Sequence, residues 1–400
     1  MGLVIVRPIA PDELQAARDI GAIAFAFARD EQKESAPDPQ AHTRIRAAFD
    51  DAGRMTACLQ ILPFRVWLGQ SVVDMGGIGG VASLPETRRQ GNIRAIFQAS
   101  LREMWDRGMV LSALYPFSHP YYRQYGYELV RAARTLTVPM AAFSAFKPTS
   151  GSLRQYMPGQ DDAPLRQVYA AFTRGRNLAP LRTDELWQKW LHKDPYATCQ
   201  YTYLWYDGTG EARSYAVLQA ENRPEGRALL ARDVACCDLA ALRELFGLFY
   251  SMGAQYHSFV WPKMPGWIDA CTLFPEPYDA ALQIERWGMA RVLRVADALS
   301  YLPHPAEPGA YTLAVTDTWL PENQGLWRVD FCAGKAQVRR APQGPADMDV
   351  DIPTLTQLVL GYLDLETLLW SRPGAVAPRH NADTLRRVFV RRQVYMPEYF

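Results

Sequence analysis

The stretch Gly76–Tyr127 reads GGIGGVASLPETRRQGNIRAIFQASLREMWDRGMVLSALYPFSHPYYRQYGY, and the rest of the chain is understood from it. Ile78–Leu84 has the small and β-branched residues of a strand. From Asn92 to about Met104, Ile93, Ile96, Phe97, Leu101 and Met104 fall on one helical face with Arg94, Gln98 and Arg102 opposite. Between strand and helix stands RRQGN. The first N–H groups of a helix have no intrahelical acceptor and carry the positive end of its dipole, so a pyrophosphate can occupy such a junction. Gly91 permits close approach of the backbone, and Arg88 and Arg89 add charge. Taken alone, these residues also suit an ordinary basic surface turn.

The second half of the stretch narrows the choice. Gly108 is placed as a helix C-cap, Met109–Leu114 reads as a short strand, and YYRQYGYE follows, with Tyr122 four residues before Gly126. An R-R-x-G-x turn followed about thirty residues later by Y-Y-x-x-x-G-Y resembles the GCN5-related N-acetyltransferases (GNAT). The resemblance implies that the turn cradles the pyrophosphate of acetyl-CoA and that the tyrosine protonates the departing thiolate.

A chain of 400 residues implies two or three domains. Hydrophobic residues at 48% and charged residues at 21% are globular values, and a formal charge of +1 offers no field for nucleic acid or an acidic membrane. No apolar run approaches the ~18 residues of a membrane span, and MGLVIVRPIAPDEL has no signal-peptide pattern, so a cytoplasmic protein is expected. Six cysteines, of which only Cys236 and Cys237 are close, make neither a disulfide framework nor a zinc spacing, and six scattered histidines form no HxH or HxxxH pair; no metal is expected.

In chain order, Leu3–Pro8 reads as an edge strand and Pro11-Asp12-Glu13 starts a helix through Phe27. Arg29–Thr43 reads as a charged loop, and Arg44 to about Asp51 as a second helix. Met55–Leu62, Phe64–Leu68 and Ser71–Leu84 read as strands around a Gly69-Gln70 turn, and Tyr127–Val138 closes a first domain ending near residue 147. From 148 to 288 the same order returns in weaker form: helices Asp161–Arg174 and Thr183–His192, strands 201–206, 214–220 and 228–233, helix Asp238–Met252 and strand Tyr256–Trp261. RDVACCDLAAL stands where the basic glycine turn would be, which suggests a second GNAT-like domain without a cofactor; an unrelated α+β domain is the alternative. The segment 289–400 has strands near Tyr311–Asp317, Trp327–Phe331 and Gln337–Arg339, a leucine-rich helix Asp351–Trp370, a helix Asn381–Val390 and the ending RRQVYMPEYF. The expected fold class is thus mixed α+β and α/β.

Two GNAT-like domains followed by a small α+β domain resembling a sterol carrier protein, with an aromatic last residue, is similar to the enhanced-intracellular-survival (Eis) acetyltransferases over the whole chain. The resemblance implies cofactor contacts at Val81, Ala82, Ser83, Arg88, Arg89, Gly91, Asn92, Phe117 and Ser118, with Tyr122 as general acid and the α-carboxylate of Phe400 as general base. It implies a homo-oligomer, a hexamer, and an acceptor among aminoglycosides, polyamines or peptide lysines. Phe25 and Phe27 stand where relatives often carry an acid for a cationic acceptor, and Glu398 is a further candidate for acceptor binding.

These groups suit the chemistry. A primary amine is mostly ammonium at neutral pH, so a base must take its proton with the carbonyl carbon ~3–3.5 Å away. An α-carboxylate, of ordinary pKa about 3.3–3.7, becomes a better base when buried among aromatic rings. Tyrosine, of ordinary pKa about 10, stays protonated and can donate to sulfur. A backbone N–H of the Val81 strand is the candidate donor to the developing oxyanion. Duller readings remain for each residue: Tyr122 as a packing ring, Phe117 and Ser118 as turn residues, Phe400 as a frayed end, Glu398 as a solvated carboxylate. The competing function is a non-catalytic module that holds an apolar ligand in the last domain and senses CoA in the first.

Overall fold

The computed structural model describes residues 4–27, 40–147, 150–191, 193–372 and 378–400. The chain begins β1 (Ile5–Pro8), α1 (Leu14–Phe25), α2 (Ala41–Arg44), β2 (Ile45–Phe49), β3 (Met55–Leu68), β4 (Ser71–Ser83), α3 (Asn92–Asp106), β5 (Leu111–Leu114) and α4 (His119–Arg123). It continues β6 (Glu128–Pro139), β7 (Ser152–Tyr156), α5 (Ala163–Thr173), α6 (Asp184–Leu191), α7 (Pro195–Thr198), β8 (Gln200–Tyr206), β9 (Ala212–Arg223), β10 (Gly226–Cys236), α8 (Leu239–Ser251), β11 (Ser258–Trp261), α9 (Ala270–Leu273) and β12 (Ala281–Val292). The last part is α10 (Val295–Tyr301), β13 (Gly309–Thr316), β14 (Gly325–Cys332), β15 (Lys335–Arg340), β16 (Met348–Asp351), α11 (Ile352–Leu360), α12 (Leu365–Ser371) and α13 (Ala382–Val388).

Two compact units result, one of residues 1–130, 288–392 and 398–400, the other of 131–287 and 393–397. The expected segments 1–147 and 289–400 fall in the first unit except for 131–147 and 393–397, which lie with 148–287 in the second. In the first unit the strand order is β1-β2-β3-β4-β5-β12; in the second it is β6-β11-β10-β9-β8-β7. The two sheets repeat each other in direction. β4 and β5 are parallel with β12 antiparallel beside β5, and β10 and β11 are parallel with β6 antiparallel beside β11. Each sheet therefore takes its sixth strand from the other half of the sequence. Tyr127–Val138 is a strand as expected, but its partner is Ser258–Trp261.

The expected helix at 44–51 is a correction: past the short α2, Ile45–Phe49 is a fully buried strand. IRAAF is rich in helix-forming alanine, yet Ala47 and Phe49 pack under α1 while Ala48 packs under α3, and a strand covered on both faces has no polar alternation to betray it. Met55–Leu68 is one strand rather than two. Its pairing with β2 ends at Gln60, so Pro63, which lacks an N–H, falls on the open side. The expected single helix 351–370 is α11 and α12, broken at Gly361 with φ +68°. Most of the expected 29–43 loop and the histidine at 192 lie outside the described residues.

Cores cover both faces of the first sheet. Ile9, Ala17, Ile20, Phe49 and Met55 fill the α1 face; Leu59, Ile78, Ile96, Phe97, Leu101 and Met104 fill the α3 face, together with Met289, Leu293 and Leu320. The last part of the chain adds the sheet β15-β14-β13-β16. Because β12 completes the first sheet, a fragment 1–147 loses Met289–Val292 from the edge of β5 and three apolar residues from its core. Such a fragment is expected to bind a hydrophobic dye and to show no cooperative urea transition, while the full chain shows one. A cooperative transition in the fragment would disprove the dependence on β12.

Candidate active site

The RRQGN turn leaves helix amides free of side-chain caps. Arg89 and Gly91 have φ of +63° and +89°, and Gly91 caps α3 without a side-chain acceptor. Ala95 N is the first amide bonded back into the helix, to Gly91 O at 2.9 Å, so those of Asn92, Ile93 and Arg94 precede it. Asn92 is buried and donates its Nδ2 to Thr87 O at 3.3 Å, which braces the turn, while Arg88 and Arg89 are exposed. Uncapped amides, a positive helix end and two arginines are the donor set that a diphosphate requires.

The strand before this turn separates from its neighbour. β4 and β5 pair from Met75–Leu111 to Ile78–Leu114 and no further. Two residues on, Gly80 has φ +56° and the β3–β4 register slips, with Gln60 opposite Gly79 but Cys58 opposite Ala82. The slip is a bulge that places one extra residue in β4. Ser83 and Ala82 remain paired to β3 on one side and have no β5 partner on the other; Val81 lies at the bulge. Just before the parting, Ser112 Oγ donates to Gly76 O at 2.8 Å and contacts Tyr127 Oη at 2.7 Å.

Tyr122 enters from the α3 face. It is only 3% exposed, with Phe97 at 6.0 Å and Phe117 at 5.6 Å between ring centroids. Burial, reinforced by Tyr121 and Tyr127, raises its pKa above that of an ordinary tyrosine, so the phenol stays protonated. Its short helix α4 is anchored at its C-terminal end. Ser118 is the N-cap residue, with extended backbone, and Arg123 Nε and NH2 each donate at 2.9 Å to the buried Glu128. Gly126 has φ +82°, and a Cβ there would stand 2.8 Å from Arg291 NH1, which donates to Tyr125 O at 2.6 Å and pairs through NH2 with Asp317 at 2.6 Å. The spacing Y-x-x-x-G thus has a mechanical reason. Phe117 is 77% exposed at the same turn.

Phe400 lies on the opposite face. A Cβ on Gly77 would meet the Phe400 ring at 2.7 Å and the Phe64 ring at 2.8 Å, and one on Gly79 would stand 3.3 Å from the Phe400 main-chain carbonyl carbon. Phe400 packs 4.8 Å from Phe64 and 5.2 Å from Tyr115, and Tyr115 Oη donates to Glu398 O. The last residue is therefore seated on β4 at the parting from β5 rather than frayed. Glu398 is buried at 4% exposure, which corrects the solvated reading. Phe25 ends α1 and Phe27 follows it, both more than half exposed.

Residues 5–130 match the acetyltransferase (GNAT) domain family and 292–397 the sterol carrier protein domain family. N-acetyltransferase Eis of Mycobacterium tuberculosis is 25% identical over 321 residues, 75% of this chain and 74% of that protein. The chain is an N-acetyltransferase with a GNAT domain and a sterol carrier protein domain, and it is similar to Eis. Solved structures share its fold over the whole of both chains: a probable N-acyltransferase from Enterococcus faecalis V583 (24% identity, TM-score 0.87) and Eis1 from Mycobacterium abscessus (18%, TM-score 0.79).

In this N-acetyltransferase the second unit repeats the parting without the donors. β10 leaves β11 after Leu230 and bulges at Arg232, but α8 is capped by Asp238, whose carboxylate accepts Ala241 N–H at 2.8 Å and Arg213 NH2 at 2.6 Å. A carboxylate there satisfies an orphan amide and repels phosphate. Among the described residues no group of three or more His, Cys, Asp or Glu side chains is placed to hold a metal ion, and no helix is long and apolar enough to cross a membrane.

Sequence reasoning missed Phe64, Tyr115, Gly77 and Gly79. Four glycines within five strand residues were the available signal, since strand glycine marks a bulge or a close backbone approach.

The Arg123–Glu128 pair carries a pH dependence. Burial opposes ionisation of Glu128, but its hydrogen bonds to Arg123 and Leu129 N–H, with the nearby Arg372, outweigh that and lower its pKa. A depressed folded-state pKa gives stability that is complete above the ordinary glutamate value of about 4.3 and fades as pH falls through the lower folded value. The gap in Tm between the parent and Glu128→Gln is expected to be widest at neutral pH and to shrink below about pH 4.3. A gap independent of pH would contradict this account.

Proposed function

We propose that this enzyme transfers an acetyl group to a primary amine by direct attack in a ternary complex, with acetyl-CoA supplying the activated thioester. The observation that carries the reading is the position of the Phe400 carbonyl carbon against Gly79, where β4 parts from β5. The role requires Phe400 to be the end of the chain. Its α-carboxylate then takes the proton of the attacking amine from the α1 face. Tyr122, kept protonated by burial on the α3 face, gives its proton to the leaving sulfur.

Arg88, Arg89, Gly91 and Asn92 hold the diphosphate, and the unpaired edge of Val81, Ala82 and Ser83 takes the amides of the pantetheine arm, with Phe117 and Ser118 beside it. A strand N–H near Val81 polarises the carbonyl. Phe25 and Phe27 offer exposed rings to the acceptor, which is aminoglycoside-like, a polyamine or a peptide lysine.

Two changes test the roles with a panel of amines and thiol release as readout. Tyr122→Phe is expected to lower kcat about 10²- to 10⁴-fold with little change in KM for acetyl-CoA. One alanine appended after Phe400 should lower kcat comparably and leave CoA affinity intact. Parental turnover in the extended chain would remove the carboxylate from the mechanism, as parental kcat in Tyr122→Phe would remove the phenol.

A further inference from the structure

The stretch Gln393–Pro397 of the C-terminal tail belongs to the second unit, where it is held as an extended peptide. Asn177 N donates to Gln393 O and Tyr395 N donates to Asn177 O, both at 2.9 Å, which makes a parallel bridge between Asn177 and Val394. Tyr395 is buried, with its ring edge-on to Phe172 at 5.6 Å and to Trp267 at 5.4 Å between centroids. The Arg176 guanidinium lies 4.2 Å from the same indole, and its Nε donates to Gln393 Oε1 at 3.1 Å. Lys263 holds the far end: its Nζ donates to Pro397 O at 2.7 Å. We propose that the second unit is a peptide-binding domain whose ligand is the chain's own Gln393–Pro397, with Lys263 as the residue that positions the tail.

Main-chain bonds from a bridge and a pocket for one side chain are the two elements by which a sheet protein recognises an extended peptide. The dock also lies where a ligand of such a sheet belongs. Lys263 stands two residues beyond β11, and Arg176 is close enough to Cys236, the last residue of β10, for its charge to be felt there. These are the carboxyl ends of a parallel pair, the end at which open α/β sheets bind their ligands. Lys263 has φ +59°, a left-handed conformation unfavourable to any residue with a Cβ, and strain of that kind at the residue that grips the tail agrees with a positioning role. A hydrogen bond from an ammonium is also stronger than one from a neutral donor. Phe400 follows Pro397 by three residues, so at most ~11 Å of chain separates it from the gripped carbonyl. The inference deepens the reading proposed above, in which the Phe400 carboxylate is the base, and its consequence for turnover rests on that reading.

The test is release of Phe400 from the full chain by carboxypeptidase A, followed by mass spectrometry, with thiol-release kinetics alongside. A docked tail is cut only when it opens, so Lys263→Met is expected to speed release roughly 10- to 150-fold, the worth of one hydrogen bond to a charged group. Lys263→Arg, which keeps a cation, should restore part of the protection, and Tyr395→Ala should lose it as Lys263→Met does. In Lys263→Met, kcat is expected to fall by up to about 10²-fold, the effect of a slightly misplaced base, with KM for acetyl-CoA unchanged. Release at the parental rate in Lys263→Met would remove that residue's role, and parental release in Tyr395→Ala as well would overturn the dock. The two proposals fail separately. Faster release in both variants, together with parental turnover in the chain extended by one alanine, would leave the dock standing and remove the carboxylate from the mechanism. Parental release in both variants beside lost turnover in the extended chain would do the reverse.

Discussion

The parting of β4 from β5 is the constraint around which the first sheet is built. A parallel ladder would normally continue to satisfy both strands, but here it stops at Ile78 and Leu114 and a bulge at Gly80 turns the end of β4 aside. The strand edge left without a partner has hydrogen-bonding groups to offer an extended ligand. Ser112 ties the strands together immediately before the opening, so the gap begins at a fixed place. Tyr122 belongs to the core on the α3 face, and Phe400 packs on the other face against Gly77 and Gly79, so the two sides of the sheet carry different groups near the parting.

The features legible in the sequence were the local ones. A basic glycine turn before an amphipathic helix and a tyrosine four residues before a glycine are written in consecutive residues, and the structure places both at the same end of β4 and β5. Ile45–Phe49 was not legible because its composition favours helix while its burial on two faces demands strand, and tertiary packing decided. The exchange of β6 and β12 was equally hidden. Both strands have the pattern their own half would need, and only the register reveals that Ser258–Trp261 pairs with Leu136–Pro139 and that Leu111–Leu114 pairs with Met289–Val292. Tyr115 and Phe64 gain their interest solely from Phe400, a contact across 285 or more positions of sequence that no local pattern encodes.

Comparison of the halves separates what the sheet contributes from what the chemistry needs. Both sheets have the same order, the same parallel pair and a bulge two residues beyond the last paired position, at Gly80 and at Arg232. The residue after the second bulge, Asp233, is buried and bound to Arg182 at 2.6 Å and to Tyr215 Oη at 2.7 Å, with the guanidinium 4.1 Å from the Tyr169 centroid. That ion pair occupies its surroundings with groups already satisfied by one another, and Asp238 does the same for the start of α8. The second half thus has the parted strand pair without the uncapped helix amides of the first. What distinguishes the first half is restraint in its side chains: glycine stands at the bulge and at the cap, where the second half has Arg232 and Asp238.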